Sequence, residues 1–272
     1  MSGQLKGRRA LVTGASRGIG RAIAHRLAAE GADVATSART LERHHHLDGS
    51  LTETVAELER YGGLAVPIVA DLTDPDARAT IVPTAVAGLG GPIDILVNNA
   101  AAAIYEPLAG FSLKRRRLIF EVNTFAPLDL AQAVIPSMRE RGEGWIVNLS
   151  SGSARPVGGP PYEAGVLGTT ISVYGASKAA LNRISSGLAA ELYGTGIRVN
   201  CIEPRAAVMS EGATELLGDS LSADQIETME EMVEAVVALC RCGPDDTGRI
   251  AVSLDLIAEW GLTVHNLDGG AR

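Results

Sequence analysis

The sequence has few cysteines, no long apolar run and no excess of positive charge. Only three of its 272 residues are cysteine, Cys201, Cys240 and Cys242. That is too few for a disulfide framework and favours free thiols in a reducing compartment. The pair Cys240 and Cys242 lacks the second pair of ligands that structural zinc requires, so we expect no metal site.

The charge balance and the distribution of apolar residues exclude several other classes of protein. The net charge is −8, from 24 basic and 32 acidic residues. Such a chain has no general electrostatic attraction for nucleic acid or anionic membranes. No segment holds about 20 uninterrupted apolar residues, and residues Met1 to Arg9 lack the apolar region of a signal peptide. We therefore expect a cytoplasmic protein with no nucleic-acid partner and no membrane partner.

Short apolar runs alternate with longer amphipathic stretches along the chain, and these predict strands and helices respectively. The predicted strands cover residues 9–13, 33–37, 64–70, 93–97, 145–149, 197–202 and 249–254. The predicted helices cover residues 19–30, 51–61, 75–87, 112–140, 174–193 and 221–240. No linker or repeat interrupts the alternation. The pattern predicts one α/β domain over residues 1–272, a single doubly wound parallel sheet with helices on both faces.

A glycine-rich turn follows the first predicted strand and opens the first helix. Glycine permits a tight turn and the close approach of a ligand, and a helix N-terminus offers free N–H groups to a phosphate. The spacing is G-x-x-x-G-x-G rather than G-x-G-x-x-G, but its place after the first strand predicts a dinucleotide pyrophosphate site. The residues of this turn that we assign to cofactor binding are Thr13, Gly14, Ser16, Arg17, Gly18, Ile19 and Gly20.

The end of the second predicted strand indicates which dinucleotide is bound. NAD-specific sites usually place an acid here to hold the ribose 2′-hydroxyl, and Ser37-Ala38-Arg39 contains none. Arg39 instead offers a planar cation suited to a 2′-phosphate. Arg17, in the glycine-rich turn, can reach the same place. The sequence therefore favours NADP(H) over NAD(H).

The third predicted strand is followed by Asp71-Leu72, which we assign to the adenine end of the cofactor. A carboxylate at a strand end can accept a hydrogen bond from the adenine amino group. The alternative role for Asp71 is to cap the helix that starts at Pro75. Asp74 is better placed for that cap, so the adenine role is favoured.

Tyr174 and Lys178 stand four residues apart at the start of a predicted helix and therefore share one of its faces. A neighbouring ammonium and an oxidised nicotinamide both favour the phenolate and so lower the pKa of the tyrosine. Such a phenol exchanges a proton with a substrate oxygen near neutral pH. The preceding strand ends in Ser150-Ser151, at the sheet edge where open α/β folds bind ligands.

Together these motifs resemble the short-chain dehydrogenase/reductase family, over almost the whole chain from Thr13 to Gly270. The motifs that carry the resemblance are Thr13–Gly20, Asp71-Leu72, Asn98-Asn99-Ala100, Asn123, Ser150-Ser151, Tyr174, Lys178, Pro204 and Asp268-Gly269-Gly270. The resemblance implies a Rossmann-type fold and an NADP(H)-dependent oxidoreductase that interconverts a carbonyl and an alcohol on a small molecule. It also implies a homodimer or homotetramer. Two alternatives remain open: an epimerase or dehydratase of the same fold, and a non-catalytic protein that senses the NADP redox state.

The resemblance implies catalytic roles for four residues. Tyr174 is the general acid/base, and Lys178 lowers its pKa and binds the nicotinamide ribose. Ser151 hydrogen-bonds the substrate oxygen, with Ser150 as the alternative. Asn123 holds a water molecule in the proton relay.

Further cofactor-side roles follow from the same resemblance, together with two departures from the family pattern. Cofactor contacts are implied at Ala100, Pro204 and Ser210, and Asn98 steadies the central strand beside the cofactor. The usual Asn-Asn-Ala-Gly ends here in Ala101, and the usual Pro-Gly is Pro204-Arg205. The second departure puts arginine where the family has glycine, directly before residues 206–210, which are expected to close over the nicotinamide.

Two loops are predicted to meet the substrate, residues 152–173 and residues 205–225. The first is longer than in most family members, with an insertion within residues 156–170. Its apolar side chains favour a largely apolar substrate. Outside these loops, His44-His45-His46 and Lys114-Arg115-Arg116-Arg117 are conspicuous, but we expect both to be solvent-exposed segments rather than metal or nucleic-acid sites.

Overall fold

The structure is a computed structural model, and it describes residues 3–42, 49–162, 170–205, 207–208 and 226–272. Among these residues the strands are β1 (Arg9–Thr13), β2 (Asp33–Ala38), β3 (Ala65–Val69), β4 (Ile95–Asn98), β5 (Gly144–Leu149), β6 (Ile197–Glu203), β7 (Ala207–Val208), β8 (Ile226–Glu227) and β9 (Ile250–Val252). The helices are α1 (Gly18–Ala29), α2 (Leu51–Leu58), α3 (Pro75–Gly88), α4 (Leu113–Phe120), α5 (Ala126–Arg141), α6 (Ser172–Glu191), α7 (Met229–Leu239) and α8 (Ser253–Trp260).

Seven strands form one sheet in the order β3-β2-β1-β4-β5-β6-β9, and all of its pairs are parallel. The chain runs outward from β1 to β3 on one side and from β4 to β9 on the other. The order therefore reverses between β1 and β4, and open α/β sheets bind ligands at the carboxyl ends of the strands at such a point. The predicted doubly wound parallel sheet is confirmed.

Successive strand residues face opposite sides of the sheet, and each side has its own hydrophobic core. On one face Val12 packs with Ile23 of α1 and Val233 of α7. On the other face Leu11 packs with Ile81 of α3 and the apolar side of α5. The central strands β1, β4 and β5 are mostly apolar and almost fully buried because helices cover both faces of the sheet.

The long helical stretch predicted over residues 112–140 is real but is not one regular helix. α4 and α5 are joined by a π-helical segment, Glu121–Phe125, and such segments occur often at functional sites. By length and composition, Leu113–Arg141 is also the one helical stretch among the described residues that could cross a membrane, with a mean hydropathy of 1.3 in its most apolar window. Half of that window is buried inside the protein, and core helices meet the same criterion.

The C-terminal part of the chain differs from the sequence prediction. The predicted strand 249–254 is only Ile250–Val252, and α8, which the sequence analysis missed, follows at once. The predicted helix 221–240 begins at Met229, because Ile226–Glu227 pairs with Ala207–Val208 as a short strand. A capping box fixes the start of α7, since Thr228 and Glu231 bond each other's backbone N–H groups.

The sequence analysis assigned no functional role to the cysteines, to the basic run or to the three histidines. Cys201, Cys240 and Cys242 are buried free thiols, as predicted. The basic run 114–117 is solvent-exposed on α4, also as predicted. The histidines 44–46 lie outside the described residues.

Candidate active site

The glycine-rich turn between β1 and α1 depends on the small size of its glycines. Gly14 and Gly18 have φ angles of +66° and +56°, which L side chains rarely adopt. A Cβ at Gly14 would lie 2.8 Å from the Cα of Ala100, and one at Gly20 would lie 2.4 Å from the carbonyl oxygen of Gly14. Arg17, at the N-cap of α1, makes no side-chain capping bond. The N–H groups of the first turn are thus left for a ligand.

Thr13 and Asn99 fasten the ends of β1 and β4 to each other. The hydroxyl of Thr13 accepts hydrogen bonds from the backbone N–H groups of Asn99 and Ala100, both at 3.1 Å. The Asn99 amide donates to the carbonyl oxygens of Thr13 and Gly14, at 2.9 and 3.2 Å. Thr13 therefore supports the turn, and its side-chain oxygen is already engaged within the protein. Asn99 was not assigned a role from the sequence, although it stands between two residues that were.

A cavity of about 560 Å³ lies at the carboxyl ends of β1 to β4, where the strand order reverses. The lining residues that the sequence predicted are Gly14, Ser16, Arg17, Gly18, Ile19, Arg39, Asp71, Leu72 and Ala100. The lining residues that the sequence analysis did not assign are Ser37, Ala38, Thr40, Ala70, Thr73, Asn99, Ala101, Ala102, Ala103, Ile104, Leu118 and Val122. Thr40, Thr73 and Ala101 directly follow residues that were predicted to bind the cofactor. Their position in the sequence is the signal that could have identified them.

Buried polar atoms in this cavity lack partners among the described residues. They are the Nε of Arg17 and the hydroxyl of Ser37, which is 1% exposed. Arg39 follows β2 and lines the same cavity with an exposed side chain. Buried donors without partners are costly, so the arrangement fits a ligand that supplies acceptor oxygens. The residues present therefore fit a dinucleotide with an additional phosphate.

Asp74 caps the following helix, as the sequence analysis expected, and the adenine role of Asp71 stays a prediction. Asp74 caps α3, accepting from the N–H of Asp76 at 3.0 Å. Asp71 is exposed and makes a turn with Thr73, whose N–H and hydroxyl both donate to one carboxylate oxygen at 2.9 Å. Its other oxygen has no bond described here, so Asp71 keeps an acceptor at the cavity wall.

Asn98 faces the interior of the protein rather than the cavity. Its amide donates to the Oδ1 of Asn148 at 2.8 Å, and the Asn148 amide donates to the hydroxyl of Ser185 at 2.8 Å. This buried chain joins β4, β5 and α6. The geometry matches a residue that steadies the central strands, and Asn98 is not among the residues that line the cavity.

Tyr174 lies on the first turn of α6 beside the ends of β5 and β6. Its ring meets the ring of Tyr105 edge to face, with centroids 5.8 Å apart. The pKa of Tyr174 is raised to about 12, mainly by burial and also by nearby Tyr105, while a hydrogen bond with Ser151 acts in the opposite direction. The expected depression of this pKa is therefore not present in the protein chain alone, because desolvation outweighs the Ser151 bond.

Lys178 is buried one turn further along α6, at 2% exposure. Its ammonium donates to the carbonyl oxygen of Leu149 at 2.7 Å and lies 5.9 Å from the centre of the Tyr174 ring. Burial lowers the pKa of Lys178 to about 8. At neutral pH the side chain is thus still mostly charged, with donors left over beyond the bond to Leu149.

Asn123 lies in the π-helical segment and is completely buried. Its Oδ1 accepts from the N–H of Ala102 at 2.7 Å, and its Nδ2 donates to the carbonyl oxygen of Ala102 and the hydroxyl of Ser177, both at 3.0 Å. Asn123 therefore ties the chain after β4 to α6. The local widening of the helix at this segment places the side chain between the two.

Ser151 caps a short turn, Gly152–Ala154, that packs under the start of α6. A Cβ at Gly175 would lie 2.3 Å from the carbonyl oxygen of Ser153, so glycine is required where helix and turn meet. Arg155 closes the turn on its other side by pairing with Glu203, a carboxylate that is 2% exposed at the end of β6. The alternative serine, Ser150, is buried, and its hydroxyl has no partner among the described residues. Ser151 is the serine that hydrogen-bonds Tyr174, and its contact with the substrate oxygen stays a prediction.

The segment after β6 departs from the family pattern at Arg205, and the structure accommodates this residue. Its N–H donates to the Oε2 of Glu227 at 2.9 Å, and its guanidinium pairs with Asp255 of α8. No described non-glycine residue has a positive φ, so Arg205 is unstrained. Pro204 is half-buried at the end of β6. Ser210 and most of the predicted loop 205–225 lie outside the described residues.

An apolar cluster stands next to Tyr174. Phe111, Ile119 and Val173 are buried together, with Ile104 and other partly buried residues packed against them. Of the predicted substrate loop 152–173, the structure describes residues 152–162 and 170–173. Val157 and Tyr162 in that loop are more than half exposed.

Comparisons with known proteins assign the chain to a family. The short chain dehydrogenase profile matches residues 8–216. The chain is 33% identical over 262 residues to hydroxysteroid dehydrogenase-like protein 2 of Xenopus laevis, covering 96% of this chain and 60% of that protein. The chain belongs to the short-chain dehydrogenase family, whose members oxidise alcohols and reduce carbonyl groups. It spans about 60% of the length of several curated relatives that it matches.

Solved structures of the family superpose well on this fold. A short chain dehydrogenase of Mycobacterium thermoresistibile has a TM-score of 0.82 at 32% identity, covering 98% of this chain and 93% of that one. L-sorbose reductase of Gluconobacter frateurii, solved with NADPH and L-sorbose, has a TM-score of 0.77 at 27% identity, covering 93% and 96%.

Proposed function

We propose that this protein is an NADP(H)-dependent oxidoreductase that interconverts a carbonyl and an alcohol on a largely apolar small molecule. One observation carries the proposal. A buried tyrosine hydroxyl, a serine hydroxyl and a buried ammonium, those of Tyr174, Ser151 and Lys178, meet at the sheet edge where β4, β5 and β6 end. That edge continues into the cavity at β1 and β2.

The preference for NADP(H) is supported by the cations at the cavity. Arg17 and Arg39 lie on either side of the end of β2, where no acid is present to hold a ribose hydroxyl. The unpartnered hydroxyl of Ser37 offers a further donor there. The related L-sorbose reductase is described in complex with NADPH. NAD(H) lacks the phosphate that would pair with these groups.

The proposed chemistry divides between hydride transfer and proton transfer. A bound nicotinamide would supply or accept the hydride. Tyr174 gives its phenolic proton to the substrate oxygen during reduction and takes a proton from the alcohol during oxidation. Ser151 donates a hydrogen bond to the same substrate oxygen, and Lys178 places a positive charge near the phenol. That charge favours the phenolate and opposes the effect of burial.

An apolar substrate is supported by the surroundings of Tyr174. Phe111, Ile119 and Val173 form a buried apolar cluster, Val173 directly precedes Tyr174, and the ring of Tyr105 lies edge to face with the ring of Tyr174. The name of the Xenopus relative refers to hydroxysteroids, which are apolar alcohols, whereas the bacterial reductase was solved with a sugar. The residues of this chain favour the former class. We extend the proposal to the described parts of the first predicted substrate loop, residues 152–162 and 170–173, as a further wall of the pocket.

The proposal is tested by following NADPH absorbance with a panel of ketones and quinones, and NADP+ reduction with the matching alcohols. We expect NADPH-dependent turnover that prefers alicyclic or aromatic carbonyls over sugars, and much weaker turnover with NADH. NADPH binding without turnover across the panel would support a redox sensor instead. Conversion of substrate without net NADPH consumption would support an epimerase or dehydratase.

A further inference from the structure

Ser151 receives hydrogen bonds from a second serine two residues further along the chain. The hydroxyl of Ser153 donates to the Oγ of Ser151 at 2.9 Å, and the N–H of Ser153 donates to the same oxygen at 3.3 Å. A serine hydroxyl has two acceptor positions and one donor hydrogen. Ser153 occupies both acceptor positions of Ser151, so Ser151 can take part in further hydrogen bonds only as a donor, through its one hydrogen.

We propose that Ser153 is a positioning residue that holds Ser151 as a hydrogen-bond donor, toward the Tyr174 oxygen before substrate binds and toward the substrate oxygen once it is bound. The inference rests on the proposed function, because it concerns the direction of proton transfer at that site. With both acceptor positions of Ser151 filled, the substrate alcohol has one remaining proton acceptor, the oxygen of Tyr174. Ser153 thus directs the substrate proton to the tyrosine.

The backbone around Ser153 is held firmly enough to impose this direction. The carbonyl oxygen of Ser153 packs against Gly175, the residue after Tyr174, where no Cβ fits. The N–H of Ala154 donates to the carbonyl oxygen of Ser151 at 2.9 Å, and the N–H of Ser150 donates to that of Ile202 at 2.7 Å. The turn is therefore fixed to α6 on one side and to β6 on the other.

The effect on Tyr174 follows from the sign of the interaction. The hydrogen bond with Ser151 lowers the pKa of Tyr174, which is the expected effect of a donor that stabilises the phenolate. Without the Ser153 hydroxyl, one acceptor position of Ser151 is open, and its hydroxyl is free to rotate and to accept a hydrogen bond instead of donating one. The phenolate then loses part of this stabilisation, so we expect the apparent pKa of Tyr174 to rise.

The experiment is a cycle of the variants Ser153→Ala, Ser151→Ala and the double variant in the full-length protein with NADP+ bound. The sequence has five tyrosines, so NMR of protein labelled at the tyrosine ring carbon next to oxygen follows Tyr174, identified by its loss in Tyr174→Phe. We expect Ser153→Ala to raise the midpoint of the Tyr174 titration and to lower kcat about three- to tenfold, the effect of one hydrogen bond. The Kd for NADPH should not change.

The double variant separates positioning from a purely structural role. If Ser153 acts through Ser151, adding Ser153→Ala to Ser151→Ala causes no further loss of kcat and no further rise of the midpoint. Ser153→Thr, which keeps the hydroxyl, should restore most of the activity. Ser186→Ala is the matched control, because Ser186 is exposed on α6 and bonds only the carbonyl oxygen of Arg183 among the contacts described here.

Two outcomes would overturn the inference: a Tyr174 midpoint unaffected by Ser153→Ala, or losses that simply add in the double variant. Both are distinct from failure of the proposed function. If the proposed function is wrong, Tyr174→Phe turns over substrate normally. If only the inference about Ser153 is wrong, turnover still depends on Tyr174.

Discussion

The ammonium of Lys178 and the carbonyl oxygen of Leu149 lie 2.7 Å apart, which ties the first turns of α6 to the end of β5. This bond holds a buried positive charge 5.9 Å from the centre of the Tyr174 ring. Lys178 thus has a fixed place in the fold as well as a proposed electrostatic role. The two contributions can be separated by experiment.

Replacing Lys178 should abolish turnover and remove a pH dependence of stability. The pKa of Lys178 falls from its ordinary value of 10.5 to about 8 on folding, so between these pH values the unfolded chain binds more protons. The cost of burying the charge is therefore fully present below pH 8 and is lost as the pH rises toward 10.5. The wild type should therefore gain stability relative to Lys178→Met between pH 7 and pH 10, measured as the difference between their denaturant midpoints. Exposed Lys6→Met is the control, and a difference between the wild type and Lys178→Met that stays the same from pH 7 to pH 10 would contradict the prediction.

Tyr174→Phe should fold normally, bind NADPH and lose turnover by about 10²–10⁴-fold, the usual contribution of general acid–base catalysis. The ring keeps its edge-to-face contact with Tyr105, so only the hydroxyl is removed. Steady-state kinetics and NADPH fluorescence titration measure the two effects. Tyr193→Phe, at a tyrosine that is 69% exposed, serves as the control. Normal kcat in Tyr174→Phe would rule out the proposed mechanism.

Arg39→Asp should weaken NADPH binding about tenfold or more and leave NADH binding nearly unchanged. The substitution removes a cation and adds a carboxylate that repels the 2′-phosphate. Calorimetry with both cofactors gives the comparison, and exposed Arg60→Asp controls for the change of net charge. Equal affinity of the wild-type protein for both cofactors would remove the basis of the NADP(H) assignment.

Asn123→Ala should cost about 2–3 kcal/mol in the free energy of unfolding, because it removes three hydrogen bonds and leaves the N–H and carbonyl groups of Ala102 without these partners. It should also lower turnover, since Asn123 joins the chain after β4 to the helix that carries Tyr174. Urea denaturation measures the first effect. Asn266→Ala, at an exposed asparagine, is the matched control. A variant as stable as the wild type would show that these bonds are not needed.

Shortening the loop from Gly159 to Gly168 to two glycines should raise KM for the best substrate or change which substrate is preferred. The far end of the loop is tied to the wall beside Tyr174, because the N–H of Glu106 donates to the carbonyl oxygen of Thr170 at 3.1 Å. Residues 163–169 lie outside the described part of the chain. NADPH binding should be unaffected. An unchanged substrate profile would remove the loop from the pocket.

Local patterns were sufficient to predict most of the fold. Strands buried on both faces are continuously apolar, and a glycine-rich turn between a strand and a helix has few structural alternatives, so β1, α1 and the order of the remaining elements could be predicted. α8 was missed because Ser253–Trp260 directly follows a three-residue strand. A short apolar run of this kind does not distinguish strand from helix.

The sequence also identified the residue types of the candidate site, because Tyr174 and Lys178 share a helix face by spacing alone and the strand ends of a parallel sheet meet at one edge. It did not predict the raised pKa of Tyr174, since both the burial of Tyr174 and its proximity to Tyr105 depend on segments distant in the sequence. Nor did it reveal that Asn99 fastens β1 to β4, or that Ser153 fills the acceptor positions of Ser151. Spacing along the chain determines which side chains share a face, but only the folded structure determines which of their hydrogen-bonding positions are already occupied.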